Sequence, residues 1–463
     1  MVELLDQVIF VVYLAILLVV GFISTKIVVS AEEYMVAGRR LRLWLAFATV
    51  AATWIGGGIT LGVAGRAYAG RVIGLWGVTL GFALSLFLVG LFYAGPLHKL
   101  RLTTLADVFE VRLGSRWASI LASLVMFIAY IFAVTAQFIA GAKLVETVFG
   151  WNYLIALLVV GGVIVVYTVL GGLWSVALTD FIQFLLIVVG VPLALVLAIG
   201  RAGFEPVLTR TTEIGLFDFG KILLAVDFWA LLVVLGLGDV PAPDLMQRVF
   251  ASDSEKTARR SAVLSGFAYI LIGLFSALVG VAVYVISPGL KDPELALPTL
   301  ITITLPTGIA GLVLSGVMAA IMSNADSMLL APATLIAKNI VRDFLKPGMS
   351  DREMLTVSKV AVATLGFLAI LVSIPRPDIL YWLTLAFDVL FAALFFPLTL
   401  AIFWKGFTGA GAIAGISGGT ISRLLLEALY NAGYIAEWWI PSIVGPIVSL
   451  VLCLTISLLV KRG

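Results

Sequence analysis

The chain has 463 residues, of which 62% are hydrophobic and only 12% are charged, against roughly 45–50% and 25% in soluble domains. Apolar stretches of about 20 residues recur, and each can cross a hydrocarbon core of roughly 30 Å. The net charge of +3 is too small to indicate nucleic-acid binding. The one cysteine, Cys453, excludes an internal disulfide, and the one histidine, His98, leaves no His/Cys metal cluster. The composition therefore predicts an all-α polytopic membrane protein.

Taken in order, the apolar stretches predict about 13 transmembrane helices. The loops between them are short, so we expect residues 1–463 to form a single transmembrane domain without a separate soluble unit. The predicted spans are 7–27, 43–64, 70–95, 117–147, 152–170, 175–200, 222–249, 261–287, 306–335, 355–374, 379–404, 409–434 and 438–460.

The basic residues predict an orientation, because cytoplasmic loops of membrane proteins carry an excess of Lys and Arg. With the N-terminus outside and the C-terminus in the cytoplasm, about 20 of the 29 basic residues fall on the inner side. These inner residues are Lys26, Arg39, Arg40, Arg42, Lys99, Arg101, Arg112, Arg116, Arg248, Lys256, Arg259, Arg260, Lys338, Arg342, Lys346, Arg352, Lys359, Lys405, Lys461 and Arg462.

Two of the predicted spans contain helix breakers near the middle. The second has three consecutive glycines, Gly56 to Gly58, and each costs a helix roughly 1 kcal/mol relative to alanine. The seventh has Pro241 and Pro243, which remove backbone donors, with Asp239 inside the break. Unwound backbone at membrane depth is tolerated only where it lines a cavity or is buried in protein. An interrupted helix early in each half of the chain is typical of transporters built from inverted repeats.

The ninth span has a polar cluster in an otherwise apolar helix. Ser323, Asn324, Asp326 and Ser327 lie within the stretch Val313 to Asp343. Polar and charged side chains at bilayer depth cost several kcal/mol unless they face a cavity, a partner or an ion. Ser323 and Ser327 are four residues apart and share a helix face with Asp326. The cluster indicates a cation site.

Several motifs, in order, resemble those of the sodium/solute symporter family along nearly the whole chain. ATWIGGG is similar to the choline-transporter branch, and AGAKLVETVFG is similar to the sodium/proline branch. The motifs are ATWIGGG (52–58), AGAKLVETVFG (140–150), GGLWSVALTDFIQ (171–183), PDLMQRVFAS (243–252) and GVMAAIMSNADSMLLAPATLIAKNI (316–340).

The resemblance implies a fold of two inverted five-helix repeats, at about 43–200 and 222–404, each with a broken first helix. The helices at 7–27, 409–434 and 438–460 would be peripheral. It also implies that Na⁺ is co-transported and lies between the second and ninth spans. Its ligands would be the carbonyls of Ala52, Ile55 and Ala320 and the side chain of Ser323. Asn324 stands where the family usually has a hydroxyl. Its amide oxygen can still ligate a hard cation, so Asn324 is the fifth predicted ligand. This difference from the family leaves altered ion affinity, or protons in place of sodium, as alternatives.

Four residues are predicted to form the path of the ion. By resemblance, Asp180 lies on the inner release path, and Thr179 assists it through its hydroxyl. Asp326 and Ser327 follow the predicted sodium ligands closely. Asp326 is interpreted either as a ligand of a second ion or as part of an internal hydrogen-bond network.

The solute is expected beside the two breaks. A tryptophan face suits a quaternary ammonium group, which points to Trp54. The full aromatic cage of the choline branch is missing, because Ala242 stands where that branch has a second tryptophan. The candidate solute residues are Thr53, Trp54, Gly56, Gly57, Gln137, Asp239, Ala242 and Asp244.

Asp239 predicts a cationic partner, because a carboxylate in the middle of a membrane is costly alone. That partner is a substrate amine, a second cation or a proton, or else a basic residue such as Lys143. Arg423 is a weaker candidate, since Glu427 lies four residues further along its own helix. Glu294 is expected to be an ordinary charge of an outer loop.

The predicted function is a sodium-coupled symporter of the cell membrane. It would import a small polar organic solute, either an amino acid such as proline or a betaine- or choline-like amine, by alternating access. The alternatives are a proton-coupled transporter and a membrane sensor of the same fold. We expect no enzyme activity, because the membrane spans contain no catalytic His/Ser or acidic metal motif. The expected partners are the solute, sodium and lipid, without nucleic acid or an obligate protein partner.

Overall fold

Helices dominate the structure, a computed structural model that describes residues 3–24, 30–375 and 378–460. Within these ranges, ten helices are long and apolar enough to cross a membrane, and two further pairs of helices are bent at a short break. Counting each bent pair as one span gives up to 12, beside a shorter apolar helix, Leu4–Val20. The all-helical polytopic fold predicted from the composition is confirmed.

The helices occur where the apolar stretches predicted spans, but within the described residues up to 12 of the 13 qualify, because the first helix is apolar over too short a stretch, Leu4–Val20. Four of the 29 basic residues lie outside the described residues: Lys26, Arg376, Lys461 and Arg462. The spans are α1 (Leu4–Ser24), α2a (Leu43–Trp54) with α2b (Gly58–Tyr68), α3 (Val72–Lys99), α4 (Arg116–Phe149), α5 (Tyr153–Trp174), α6 (Val176–Ala202), α7a (Val226–Gly238) with α7b (Pro243–Ala251), α8 (Glu255–Ile286), α9 (Ile309–Leu345), α10 (Asp351–Ser373), α11 (Ile379–Phe403), α12 (Gly409–Asn431) and α13 (Trp439–Val460).

One glycine separates α5 from α6. Gly172 has a φ of 61° and a ψ of −174°, whereas helical residues flank it on both sides. A side chain at this position would be strained, and its Cβ would lie 2.5 Å from the Tyr34 ring. The resulting kink turns one long stretch of helix into two spans.

The ninth span lies at the centre of the fold. All residues from 313 to 335 are buried, although a typical span exposes one face to lipid. The helix packs against α1, α2a, α4 and α6, which shield it from lipid. The polar cluster of α9 is therefore enclosed by protein, which the cost of polar groups in lipid requires.

Close packing between α8 and α2b offers a test of the fold. A Cβ at Gly280 would lie 2.0 Å from the Ala64 carbonyl oxygen, and backbone cannot move aside easily. We expect Gly280→Ala to destabilise the protein by about 1–3 kcal/mol through overpacking. The measurement is the thermal unfolding midpoint in detergent. Gly162→Ala on α5 is the matched control, since no atom of another described segment lies within 4 Å of its Cβ. Equal midpoints for the two variants would contradict the packing.

Candidate ion and solute site

The break between α2a and α2b bends the span by 55°. Ile55 leaves the helical conformation, with a φ of −84° and a ψ of 74°. The Gly56 amide then donates to the Trp54 carbonyl, at 3.0 Å, instead of to Ala52 four residues back. The Ala52 carbonyl therefore loses its helical partner at the position where the sequence predicted a free ligand.

The glycines of this break allow close approach to neighbouring helices. A Cβ at Gly56 would lie 2.2 Å from the Asn324 amide nitrogen, so the break and the polar cluster of α9 meet there. The Gly57 amide donates to Oε1 of Gln137 on α4, at 2.9 Å. Nε2 of Gln137 is buried and has no partner among the described residues.

The break between α7a and α7b bends that span by 45°. Pro243 occupies the first turn of α7b, where its missing donor costs nothing, and the buried Ala242 precedes it in extended conformation. Asp239 lies at the end of α7a and is completely buried. Both predicted breaks are thus present.

The five predicted sodium ligands lie on two facing elements. Ala52 and Ile55 are at the end of α2a, and Ala320, Ser323 and Asn324 are on α9, which packs against it. The Ser323 hydroxyl donates to the carboxylate of Asp180 in this conformation. Oδ1 of Asn324 is buried and has no partner among the described groups, so it can accept an ion.

Asp180 is the centre of a buried ion pair. Its Oδ2 accepts hydrogen bonds from the Thr49 hydroxyl and, at 3.2 Å, from the Arg248 guanidinium. Asp180 and Arg248 are both 0% exposed. Arg248 was counted among the basic residues of the inner side, but α7b carries it into the protein, where it is buried. The PDLMQRVFAS motif, which contains Arg248, was the sequence feature that could have indicated a role for this residue. No sequence feature indicated that Thr49 would contact Asp180.

The same guanidinium reaches the rest of the polar cluster. Arg248 donates to the Ser327 hydroxyl, which also lies 3.1 Å from both the Thr53 hydroxyl and Oδ1 of Asp326. Oδ2 of Asp326 is buried without a partner in the described chain. Arg248 therefore pairs directly with Asp180 and is connected to Asp326 only through the Ser327 hydroxyl.

Thr179 lies beside Asp180 in sequence but has different contacts. Its hydroxyl bonds with the Tyr167 hydroxyl and with the Val176 carbonyl, at 3.0 Å. In this conformation it holds α6 against α5.

Asp239 has polar partners but no ion pair among the described residues. Its Oδ2 accepts from the Trp54 indole, at 2.8 Å, and from the Ser85 hydroxyl, while Oδ1 has no described partner. The alternative that Asp239 pairs with Lys143 or Arg423 is wrong, since these two side chains form ion pairs with other carboxylates. Ser85 of α3 was not identified from the sequence.

Glu294 is not an ordinary outer-loop charge. Only 8% of it is exposed, and its carboxylate pairs with Lys143 of α4. The other oxygen accepts from the Ile379 amide, at 3.1 Å, at the start of α11. Asp292 lies 2.9 Å from the same lysine. The expectation was wrong because the short helix Pro293–Leu295 folds back between the spans.

A small central cavity lies between the two breaks. It brings together Thr53, Trp54, Asp244 and Asn324 from the predicted sites. Asp244 accepts from the Tyr130 hydroxyl and from the Leu245 amide. Three aromatic side chains that the sequence did not single out also line it: Phe82, Tyr269 and Phe387. Its volume is only ≈ 10 Å³, so in this conformation the aromatic walls close around a space too small for a solute.

The described residues contain no group of three or more His, Cys, Asp or Glu side chains that could hold a metal ion. The oxygen atoms of the five predicted sodium ligands, at the end of α2a and on α9, are carbonyls, one hydroxyl and one amide. Such neutral oxygens suit a hard cation that binds and leaves.

Comparisons with known proteins agree with this architecture. The Sodium:solute symporter family matches residues 34–419. The human high affinity choline transporter 1 is 30% identical over 89% of this chain and 75% of its own length. A sodium/pantothenate symporter of Haemophilus influenzae is 29% identical, covering 86% and 84%. A sodium/proline symporter of Staphylococcus aureus is 26% identical, covering 97% and 92%.

The fold matches a solved structure from end to end. A Na⁺-coupled sialic acid symporter, solved in a substrate-bound outward-open state, superposes with a TM-score of 0.83 over 99% of this chain and 98% of that one. At 22% identity, this likeness concerns the fold. With the family match over most of the sequence, it confirms the resemblance seen in the motifs. The chain belongs to the Sodium:solute symporter family, and it is a membrane transporter rather than an enzyme.

Proposed function

We propose that this sodium-coupled symporter imports a small polar solute that carries an amine. An amino acid such as proline or a betaine- or choline-like compound fits this description. The observation that carries the proposal is Asp239, a fully buried carboxylate with one unpartnered oxygen and no described ion pair. It bonds to Trp54, whose ring lines the central cavity. A carboxylate beside an aromatic face suits an ammonium group.

The ion site of the proposal lies between α2 and α9. Sodium would bind the carbonyls of Ala52, Ile55 and Ala320 with the side chains of Ser323 and Asn324. Supporting this, the Gly56 amide leaves the Ala52 carbonyl without its helical partner, and Oδ1 of Asn324 is unpartnered. When sodium binds, the Ser323 hydroxyl would rotate from Asp180 to direct its lone pair at the ion.

The solute would bind on the other side of the same break. Thr53, Trp54 and Asp244 line the central cavity, and Gly56, Gly57, Gln137, Asp239 and Ala242 would support it from behind. The sites for ion and solute share one unwound segment. Filling one would order the backbone that the other needs, so the two ligands would bind cooperatively.

The ion would leave through the cluster of Thr179, Asp180, Asp326 and Ser327. Arg248 already compensates part of its negative charge. A displaced cation could exchange with this guanidinium on the way to the inner side. We place the protein in the cell membrane, with its N-terminus outside, its C-terminus in the cytoplasm and repeats at about 43–200 and 222–404.

Coupling to protons is the second candidate. The unpartnered oxygens of Asp239 and Asp326 favour it, because a proton would neutralise either buried carboxylate. Uptake into proteoliposomes separates the candidates. We expect uptake to require an inward sodium gradient; uptake that is unchanged with potassium in place of sodium and driven by a pH gradient would support proton coupling.

Removing the proposed sodium ligand should weaken ion binding. We expect Ser323→Ala to raise the sodium concentration for half-maximal uptake by about threefold to tenfold, the range for one lost polar contact. Ser315→Ala is the matched control, since this buried serine on the same helix donates to the Gly311 carbonyl. If both variants need as much sodium as the wild type, the proposed site is misplaced.

Replacing Asp239 tests whether the solute carries an amine that binds this carboxylate. We expect Asp239→Asn to reduce uptake of solutes whose ammonium carries an N–H, such as proline, by about tenfold or more, because a charged hydrogen bond contributes roughly 1.5–3 kcal/mol. The measurement is competition for uptake by amines and by their uncharged analogues. Asp253→Asn, in an exposed loop, is the control. An Asp239→Asn protein that discriminates amines as well as the wild type would refute the role.

A further inference from the structure

A charged cavity lies where the segment between α3 and α4 meets the carboxyl end of α9. It has a volume of ≈ 650 Å³, within the range of roughly 300–1,000 Å³ common for ligand sites. Residues 100–103, the short helix Asp107–Leu113 and the last turns of α9 contribute to its lining. By the orientation proposed above, this basal cavity faces the cytoplasm.

The acidic side chains of the basal cavity all have basic partners. Among the described residues, four basic and three acidic side chains line it. Asp107 and Asp343 both bind Lys338, at 2.7 and 2.9 Å. Glu110 lies 3.6 Å from Arg116. The carboxylates of the lining are therefore compensated from within the cavity.

Two guanidinium groups of the lining are left over. Arg101 and Arg342 line the cavity, and neither forms an ion pair with a carboxylate in the described ranges. Nη1 of Arg342 lies 3.2 Å from Sδ of Met354, which is a weak acceptor. The cavity thus has spare donors with a positive charge. Phosphate oxygens are the acceptors that guanidinium groups bind best.

The backbone of Arg101 is in the left-handed region, with a φ of 50°. This conformation suits glycine and is unfavourable for a residue with a side chain. The Arg101 amide donates to the His98 carbonyl, and its carbonyl accepts from Arg39, both at 3.1 Å. These bonds hold the turn through the backbone alone. An arginine at a position better suited to glycine points to a function of its guanidinium.

The rim of the basal cavity is apolar and exposed. Val111 lines the cavity and is 59% exposed. Trp117 and Phe344 directly follow two lining residues in the chain, are 59% and 38% exposed, and contact each other with ring centroids 5.2 Å apart. Exposed tryptophan at the end of a span is typical of the level of the lipid headgroups. The cavity therefore opens beside the bilayer surface.

We propose that the basal cavity binds the headgroup of an anionic phospholipid. The phosphate accepts hydrogen bonds from Arg101 and Arg342, and the acyl chains lie against Val111, Trp117 and Phe344. A free phosphate would use the same two arginines, but the apolar rim favours a lipid. The bound headgroup connects the segment before α4 with the end of α9. This site involves neither the solute nor the coupling ion, so it goes beyond the proposed function.

Tryptophan quenching tests the site at its rim. The protein is placed in nanodiscs of phosphatidylcholine with increasing fractions of phosphatidylglycerol whose acyl chains are brominated, since bromine quenches tryptophan on contact. The difference in fluorescence between each protein and the same protein carrying Trp117→Phe isolates the signal of Trp117. Its quenching gives the preference for phosphatidylglycerol over phosphatidylcholine at this position.

Two variants each remove one of the proposed phosphate ligands. Arg101→Gly places glycine where the backbone favours it, so a loss of binding cannot be attributed to misfolding of the turn. Arg342→Gln removes the second guanidinium. Arg352→Gln, which removes an exposed arginine at the start of α10, is the matched control.

We expect phosphatidylglycerol to be preferred at Trp117 by about fivefold or more. Arg101→Gly and Arg342→Gln should each reduce this preference by about threefold, and Arg352→Gln should leave it unchanged. Quenching in simple proportion to the bulk lipid, or indifference to both variants, would overturn the proposal.

Inorganic phosphate separates a lipid from a free anion. In nanodiscs of phosphatidylcholine alone, we expect millimolar phosphate to leave the unfolding midpoint of the wild type unchanged. A midpoint that phosphate raises in the wild type but not in Arg342→Gln, without a preference for phosphatidylglycerol at Trp117, would show a site for free anions and overturn the lipid. Solute uptake enters neither measurement, so the proposed function and this site fail separately.

Discussion

Compensation of buried charge is the constraint on which this structure depends. Asp180 and Arg248 are both inaccessible to solvent and lie at the junction of α2a, α6, α7b and α9. Removing one partner of such a pair typically costs about 3–5 kcal/mol, because it leaves an uncompensated charge. The pair therefore links both broken spans to the central helix. Any motion of α7b relative to α6 has to exchange this interaction for another.

The breaks in α2 and α7 pose the same problem for the backbone, because buried polar groups there lack their helical partners. Helical hydrogen bonds are lost at the glycines and prolines, and the freed amides and carbonyls need new partners at membrane depth. Neighbouring helices supply some of these partners: the Gln137 side chain accepts a hydrogen bond from the Gly57 amide. A transported cation is the partner that can come and go. This explains why a transporter retains interruptions that a structural helix would not tolerate.

Three acidic groups differ in how completely they are neutralised. Glu294 has a lysine and a helix N-terminus, and it connects α4 with α11. Asp388 has an arginine that it shares with Glu427. Asp239 has only an indole and a hydroxyl. The least compensated carboxylate bonds to Trp54 at the central cavity, and the best compensated one connects the ends of α4 and α11.

The sequence by itself determined the membrane class, the spans, both breaks and the family, because these follow from local composition, from Gly and Pro, and from motifs. It also singled out Ser323, Asn324 and Asp239, since polar groups in apolar helices are conspicuous. Only the tertiary structure decided which charges meet. Arg248 pairs with Asp180, Lys143 with Glu294, and Ser85 supports Asp239. These partners are 68 to 154 residues apart in the chain, and no periodicity along one helix encodes which face of another it will contact.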